Sequence, residues 1–488
     1  MAESLKVDLC VIGAGSGGLS VAAGASQLGA SVVLIERDKM GGDCLNYGCV
    51  PSKAMLAAGH AAEAVRQAGN QPGPFGVRAR RLEIDSNGVY GHIAGVIAAI
   101  EPNDSVERFE GMGVKVIKGE ARLTGAAEVS VGETMISARR FVIATGSAPF
   151  VPPIFGLKEV EFHTNETIFS LGTLPEHLIV IGGGPIGIEM AQAHRHLGCR
   201  VTVLEMFNIL AQDDPELVDV VRRQLNADGV NIIEHANIKG IEKTTIGIDV
   251  QWTPSDSGGG VDGGGADEIL SSSHILVAAG RRPNVGGLGL EEAGVRYSEK
   301  GIDVDARLRT SNKNIFAIGD VAGGLQFTHV AGYHAGVIIK NALFRWPAKA
   351  DTGAVPWVTY TAPELAQVGL TEAQAKEQHG DAIKVLRWPY HENDRAQAEK
   401  QTDGMVKAVV TLRGKILGCG IVGAHAGEMI QTWVLAKSKN LKIGDIAQMI
   451  APYPTFGEVS KRAAGSFYTA SLFSERTRKI VRFLSRFG

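Results

Sequence analysis

A chain of 488 residues exceeds what one ordinary core organises; at roughly 150 residues per domain it predicts about three domains. Apolar residues make up 44% of it and charged ones 21%, which excludes wholesale disorder. Lys and Arg (49) nearly balance Asp and Glu (52), leaving a formal charge of −3, which argues against a nucleic-acid binder working through a large basic surface.

Glycine is the outlier, at 62 residues or about 13% against a usual value of roughly 7%. Such an excess suits tight turns and close backbone approach to ligands. No apolar run is long enough to predict a membrane span. The N-terminus has a single early Lys6 after Glu3, then the strand-like Val7 to Ile12, then glycines where a signal peptide would be greasy. A cytoplasmic location is expected. The five cysteines, Cys10, Cys44, Cys49, Cys199 and Cys419, do not make a secreted disulfide scaffold.

The chain opens with a predicted strand, Val7–Ile12, a glycine turn, an Ala-rich helix over Leu19–Leu28 and a second strand, Ser31–Ile35. The turn reads Gly13-Ala-Gly15-Ser-Gly-Gly18, and Glu36 ends the following strand. In that context the pattern predicts a dinucleotide site. Gly13 permits the turn, Gly15 lets a pyrophosphate reach the backbone, and Gly18 brings the helix close with its amides facing the anion. Glu36 is the expected acceptor for ribose hydroxyls.

Gly41-Gly-Asp-Cys44-Leu-Asn-Tyr-Gly-Cys49-Val-Pro-Ser-Lys53 comes next, a loop entering a helix near Pro51. Zinc usually takes four ligands, and no second Cys/His pair sits nearby, so no metal is predicted. A redox-active disulfide fits better. A thiolate at a helix N-terminus has a lowered pKa, which makes Cys49 the better-placed thiolate and Cys44 the attacking partner. Cys10, Cys199 and Cys419 read as buried small hydrophobes.

Further on, Ile97 to Phe109 reads as one long helix and Val114 to Ser137 as short strands, closing at Phe141-Val-Ile-Ala-Thr145-Gly146-Ser147. The strand–glycine–helix unit then returns. Leu178–Ile181 leads into Gly182-Gly-Gly184-Pro-Ile-Gly187, helix Ile188–Leu197 and strand Arg200–Leu204, ending at Glu205. An acid there favours the free 2′-hydroxyl of NAD, and no Arg follows it in Met206-Phe207-Asn208. Thr253–Asp267 is an expected exposed hairpin loop. His274-Ile-Leu-Val-Ala-Ala-Gly280-Arg-Arg-Pro-Asn284 nearly echoes the segment at 141–147. From Ala354 strands and helices alternate without a glycine fingerprint. Five Lys/Arg with Ile480, Phe483, Leu484 and Phe487 at helical spacing form a basic amphipathic tail, for which contact with a membrane surface is considered.

The expected fold is α/β: two Rossmann-like dinucleotide-binding domains plus a C-terminal α+β domain without a nucleotide fingerprint. Its boundaries are 1–150 and 274–350 for the two parts of the first, 151–273 for the second, 351–470 for the third and 471–488 for the tail.

GGDCLNYGCVPSK resembles the active-site signature of the flavin-dependent pyridine nucleotide–disulfide oxidoreductases, which include dihydrolipoamide dehydrogenase, glutathione reductase and mercuric reductase. The likeness runs to about residue 470. It implies FAD at the first fingerprint and NAD(H) at the second. It further implies Asp320, in Thr310-Ser-Asn-Lys-Asn-Ile-Phe-Ala-Ile-Gly-Asp320, on the flavin's ribityl chain, and a backbone contact from Thr328. Lys53 and Glu189 match the pair beside the flavin ring. Gly42, Thr145, Gly146 and Gly280 join the cofactor-binding set. Hydride would pass from nicotinamide to flavin and two electrons on to the disulfide, with Cys49 facing the flavin and Cys44 the substrate. Tyr360-Thr-Ala-Pro-Glu364 and Gly423-Ala-His-Ala-Gly-Glu428 resemble the dimerisation domain, so a homodimer is implied.

One position departs from the pattern. Relatives acting on lipoamide or glutathione carry His-Pro-Thr-x-x-Glu near the C-terminus, the histidine serving the partner subunit's thiol. This chain reads Tyr453-Pro-Thr-Phe-Gly-Glu458. A phenol with a pKa of about 10 is roughly 0.1% ionised at pH 7, and loss of a positioned base typically costs about 10² to 10⁴ in rate. A tyrosine there resembles mercuric reductase, as do Glu101–Phe109 and Asn393–Glu399. Yet no cysteine follows Gly465, where that enzyme hands over its metal through a C-terminal thiol pair. The leading expectation is a dihydrolipoamide dehydrogenase-like enzyme acting on a small-molecule or protein dithiol/disulfide. A mercuric-reductase-like acceptor, or a non-catalytic flavoprotein subunit, is the alternative.

Overall fold

The computed structural model describes residues 4–70, 73–255 and 267–487, so most of the expected loop at 253–267 lies outside the described residues. The chain forms two compact units. One comprises Met1–Gly183, Ala193–Met206 and His235–Asp351; the other comprises Gly184–Gln192, Phe207–Glu234 and Thr352–Gly488.

In the first unit β1 (Ser4–Ile12), α1 (Ser16–Gln27) and β2 (Val32–Glu36) make the expected βαβ start. The redox motif follows as two helices, α2 (Gly42–Asn46) and α3 (Cys49–Gly69). β1 pairs in parallel with β2 on one side and with Thr134–Ile143 on the other; β2 pairs in parallel with β3 (Val114–Lys118). Leu9, Val11, Val32 and Leu34 pack on one face with Leu19, Val21 and Ala22 of α1. Cys10, Ile12, Val33 and Ile35 pack on the other face with Val129 and Leu290. Burial on both faces is why these strands read as continuous apolar runs rather than alternating ones. Three further parallel strands, His274–Val277, His177–Ile181 and Arg200–Leu204, carry the second fingerprint.

The expected helix over Ile97–Phe109 is two helices instead. α4 (Ser86–Ile100) ends before a single 3₁₀ turn at Glu101–Asn103, and α5 (Val106–Gly111) starts afresh. Pro102 cannot donate within a helix interior, and Ser105 caps the new one by accepting the Arg108 amide at 3.2 Å.

The second unit holds a five-stranded antiparallel sheet in the order Pro356–Thr359, Glu364–Gly369, Ile416–Gly423, Met405–Thr411, Ile383–Pro389. Trp433, Ile430 and Val459 from the helices Ala426–Ser438 and Glu458–Leu472 close its core together with Tyr390 and Phe456. An ion network at one side is buried at Lys407 and Asp214 and open to solvent at Arg387. Lys407, 5% exposed, lies 2.8 Å from Asp214, 2.7 Å from Glu216 and 2.8 Å from Glu372, while Arg387 binds Glu216 and Glu372. Among the described residues no helix is long and apolar enough to cross a membrane.

Candidate active site around the Cys44–Cys49 pair

In the first fingerprint each glycine meets a different constraint. Gly13 has φ +103°, and a Cβ on it would stand 2.4 Å from the Ala144 carbonyl oxygen. A Cβ on Gly18 would stand 1.8 Å from the Gly13 carbonyl, so only glycine lets the helix approach the strand. At Gly15 the nearest atom to an added Cβ is Gly42 Cα at 4.0 Å, which leaves the backbone open to a ligand. Glu36 is buried, and its carboxylate accepts the Ala14 amide at 2.6 Å and the Asp38 amide at 2.8 Å. The acid expected to meet a ribose thus also holds the turn that would carry the pyrophosphate.

The redox motif is backed against this turn. Gly41 donates to the Ala14 carbonyl at 3.0 Å. Gly42 has φ +58°, and a Cβ there would stand 2.7 Å from Gly15 Cα. Cys44 sits on the short helix α2 rather than in an open loop, and α3 begins at Cys49, so Cys49 occupies the helix N-terminus with Pro51 in the first turn. Both cysteines are thiols, Cys44 half-buried and Cys49 exposed. The neighbouring Cys44 thiol is the largest cause bringing Cys49 down to about 6. The Thr328 hydroxyl, 3.4 Å from the sulfur, and the charge of Lys53 act in the same direction, against burial and Asp43. Cys44 moves the opposite way, raised by its neighbour Cys49 and by burial. The remaining cysteines are inert by comparison: burial pushes Cys10 and Cys199 up to about 12 and Cys419 well above the usual thiol range.

The two near-echo segments pair with each other. Arg281–Pro283 runs antiparallel to Ser147–Pro149, the Asn284 amide donates to Gly146 O at 3.0 Å, and Thr145 Oγ1 donates to Asn284 O at 2.8 Å. Gly146 and Gly280 both have positive φ, +66° and +119°. This pairing turns Arg281 inward, a residue the sequence reading did not single out. Arg281 Nε donates to Ser147 Oγ at 2.7 Å, and its Nη2 lies 3.2 Å from Asp43 Oδ1. Asp320 accepts from Ser147 Oγ at 2.6 Å and stands 4.0 Å from Arg281 Nε. Asn165 completes the group, donating to Asp43 at 2.9 Å and to the Tyr47 carbonyl at 3.1 Å. Burial raises Asp320, with Ser147 and Arg281 opposing. Arg281 therefore ties the residue beside Cys44 to the expected flavin ligand. Its neighbour Arg282 points to solvent and Glu299 at 3.1 Å.

At the second fingerprint Gly182 has φ +113° and an added Cβ would meet the Ala278 carbonyl at 2.4 Å, the counterpart of Gly13 and Ala144. The Gly183 amide donates to Glu205 at 2.5 Å. An added Cβ on Gly184 meets nothing within 4 Å, and Gly187 lies in the helix Pro185–His196. Lys53 belongs to the first unit and Glu189 to the second, where its buried carboxylate accepts the Tyr360 amide at 2.9 Å. The two motifs expected to mark the dimerisation domain meet: Glu364 accepts the Gly427 amide at 2.8 Å.

Tyr453 is 71% exposed, and its hydroxyl donates to Asp394 Oδ2 at 2.8 Å. The acid at the phenol is thus Asp394, while Glu458 starts the helix Glu458–Leu472 and accepts the Thr455 amide at 3.5 Å. Asn393 donates to the Thr455 carbonyl at 3.0 Å, so one helix start clamps the loop at both ends. The Asp394 bond raises Tyr453 further above the usual phenol value.

Open backbone at Gly15 and Gly184, each followed by a helix, fits two dinucleotides, and the thiol pair lies against the first. These features define a disulfide oxidoreductase built on two nucleotide cofactors. The chain belongs to the pyridine nucleotide-disulphide oxidoreductase family, whose model matches residues 7–335, with the family's dimerisation domain over 355–464. This family uses FAD and NAD(P)H. The chain is 35% identical over 464 residues to a mercuric reductase of Lysinibacillus sphaericus, covering 94% of this chain and 82% of that protein. It is also 35% identical over 469 residues to the dihydrolipoyl dehydrogenase of Geobacillus stearothermophilus, covering 94% and 96%. A solved Cu(II) complex of the HOCl-induced flavoprotein disulfide reductase RclA from Escherichia coli superposes with a TM-score of 0.81 at 28% identity, over 94% of this chain and 99% of that one.

Proposed function

We propose that the chain is an NADH-dependent flavin disulfide oxidoreductase, dihydrolipoamide dehydrogenase-like in its chemistry, working through Cys44 and Cys49 on a dithiol/disulfide substrate. The observation that carries this reading is the placing of Cys49 at the N-terminus of α3 and Cys44 on α2, on a segment backed against the Gly15 turn. Bound FAD supplies the two-electron transfer between nicotinamide and disulfide. Gly13, Gly15, Gly18, Glu36, Gly42, Thr145, Gly146, Asp320 and Thr328 hold it in this reading. Gly182, Gly184, Gly187, Gly280 and Glu205 hold the nicotinamide dinucleotide, with Glu205 toward the 2′-hydroxyl, and Lys53 and Glu189 keep the roles that the resemblance implies for them.

In the reduced pair Cys49 is the thiolate and Cys44 the thiol. Cys44 gives up its proton as it attacks one sulfur of the substrate disulfide; that S–S bond breaks and the first thiol leaves with the proton. Cys49 then attacks Cys44 Sγ, the second substrate sulfur leaves and takes a proton from solvent, and the Cys44–Cys49 disulfide forms. The hydride of NADH, two electrons and one proton, returns the pair to its starting state of one thiol and one thiolate. Each turnover consumes one substrate disulfide and yields two thiols.

The Tyr453–Asp394 bond favours a second reading, in which the acceptor is a metal ion or another species that needs no base at this position. Under either reading Tyr453 and Glu458 serve the partner subunit's thiols in a homodimer. Anaerobic reduction by NADH followed by a screen of lipoamide, glutathione disulfide, Hg(II) and quinones tests the proposal. Turnover that disappears in Cys44→Ser supports it. Flavin reduction with no acceptor turnover above that variant would leave a non-catalytic subunit and end it.

A further inference from the structure

The segment beyond the dimerisation-domain match, which ends at residue 464, holds a feature that the redox reading does not use. Ser474 caps a helix, Glu475–Leu484, by accepting the Thr477 amide at 3.2 Å, and Thr477 Oγ1 donates to the Ser471 carbonyl at 2.8 Å. None of the ten helical residues is buried. At 100° per residue Ile480, Val481, Phe483 and Leu484 share one side, while Arg478, Lys479 and Arg482 share the other. Leu484 is 58% exposed and Phe483 is 56% exposed, and the Phe487 ring packs edge-on against Phe483 at 5.2 Å. Large apolar side chains contiguous on water mark an interaction surface.

We propose that this helix seats the enzyme on an anionic lipid surface. Charge identifies the occupant. Arg476, Arg478, Lys479, Arg482 and Arg486 face a single acid, Glu475, in a chain whose overall charge is −3. Cations flanking an apolar stripe complement a surface that is apolar inside and negative outside, with the helix lying in the interfacial plane. Ten residues span about 15 Å, half a bilayer's hydrocarbon thickness, so the helix lies on the membrane and does not cross it. A second copy on the same face would bring two such cationic segments together.

The test is co-sedimentation of the full-length flavin-loaded protein with vesicles. One set is phosphatidylcholine alone; the other contains about a third phosphatidylglycerol. Binding to the anionic vesicles should exceed that to the neutral ones by at least about tenfold and fall at high salt. Ile480→Asp with Leu484→Asp should abolish it, and Arg478→Gln with Arg482→Gln should reduce it to the neutral-vesicle level. Both variants should keep wild-type circular dichroism and Cys49 alkylation, since they lie outside the redox site. Absence of binding to anionic vesicles overturns the proposal, as does equal binding to both sets. A smaller sedimentation coefficient for the Ile480→Asp/Leu484→Asp variant without lipid would assign the face to a second copy and overturn it too.

Discussion

The Gly183 amide donates to the Glu205 carboxylate at 2.5 Å, just as the Ala14 amide donates to Glu36 at 2.6 Å. In each fingerprint the acid at the end of the second strand therefore braces the glycine turn. Glu205→Arg should shift the ratio of kcat/KM for NADPH over NADH upward by about two orders of magnitude, the size of a like-charge penalty of a few kcal/mol. It should also lower the absolute value with both cofactors, because the Gly183 amide loses its acceptor. Steady-state kinetics with both nucleotides decide it, and a wild-type preference for NADPH would contradict the assignment.

The thiol pair predicts a pH profile. Cys49 is brought down to about 6, chiefly by the neighbouring Cys44 thiol, so its thiolate is present above that pH and lost below it. The iodoacetamide alkylation rate of the reduced protein should rise through a midpoint near 6 and level off by about pH 7.5. Cys44→Ala removes that thiol and should move the midpoint up toward the ordinary thiol range; Thr328→Val should move it the same way by less. A midpoint unchanged in Cys44→Ala would show that the helix terminus and Lys53 alone set it.

Adjacent arginines should behave oppositely. Arg281→Gln leaves Asp43 and Asp320 without their cation and should cost about 2–3 kcal/mol in denaturant unfolding, discounted because Asp43 is partly exposed. Arg282→Gln should stay within about 0.5 kcal/mol, as exposed pairs do. Equal losses for the two would mean the buried network contributes nothing beyond charge.

The ion network around Lys407 predicts acid sensitivity. Glu216 is brought down to about 2, first by its bond to Arg387 and also by Lys407. A carboxylate lowered on folding stabilises above its unfolded value of 4.5 and loses that contribution as pH falls toward 2. Glu216→Gln should therefore flatten the stability-versus-pH curve between about 4.5 and 2. If wild type and variant lose stability in parallel across that window, another carboxylate governs it.

At Tyr453 the phenol is raised and held by Asp394, which makes it a poor base. Tyr453→His should increase dihydrolipoamide oxidation by up to about 10²–10⁴. Because Asp394 is the acid within reach, Asp394→Asn in the Tyr453→His background should remove much of that gain, whereas Glu458→Gln should remove less. Wild-type turnover of lipoamide at the rate of the histidine variant would show that another group serves as the base.

The local features were legible in the residues themselves. Apolar runs on β1 and β2, the glycines at Gly13, Gly18 and Gly182, a thiol at the start of α3 and the amphipathic tail all follow from spacing and from backbone conformations few residues adopt. What only the tertiary structure decided is partnership across long stretches of chain. Gly42 against Gly15, Thr328 beside Cys49, Asp394 rather than Glu458 at Tyr453, and Arg281 rather than Arg282 turned inward are choices between chemically equivalent candidates. Short-range propensity is blind to them, because a guanidinium or a carboxylate finds its partner only after sheet register has set which side of the backbone it leaves from.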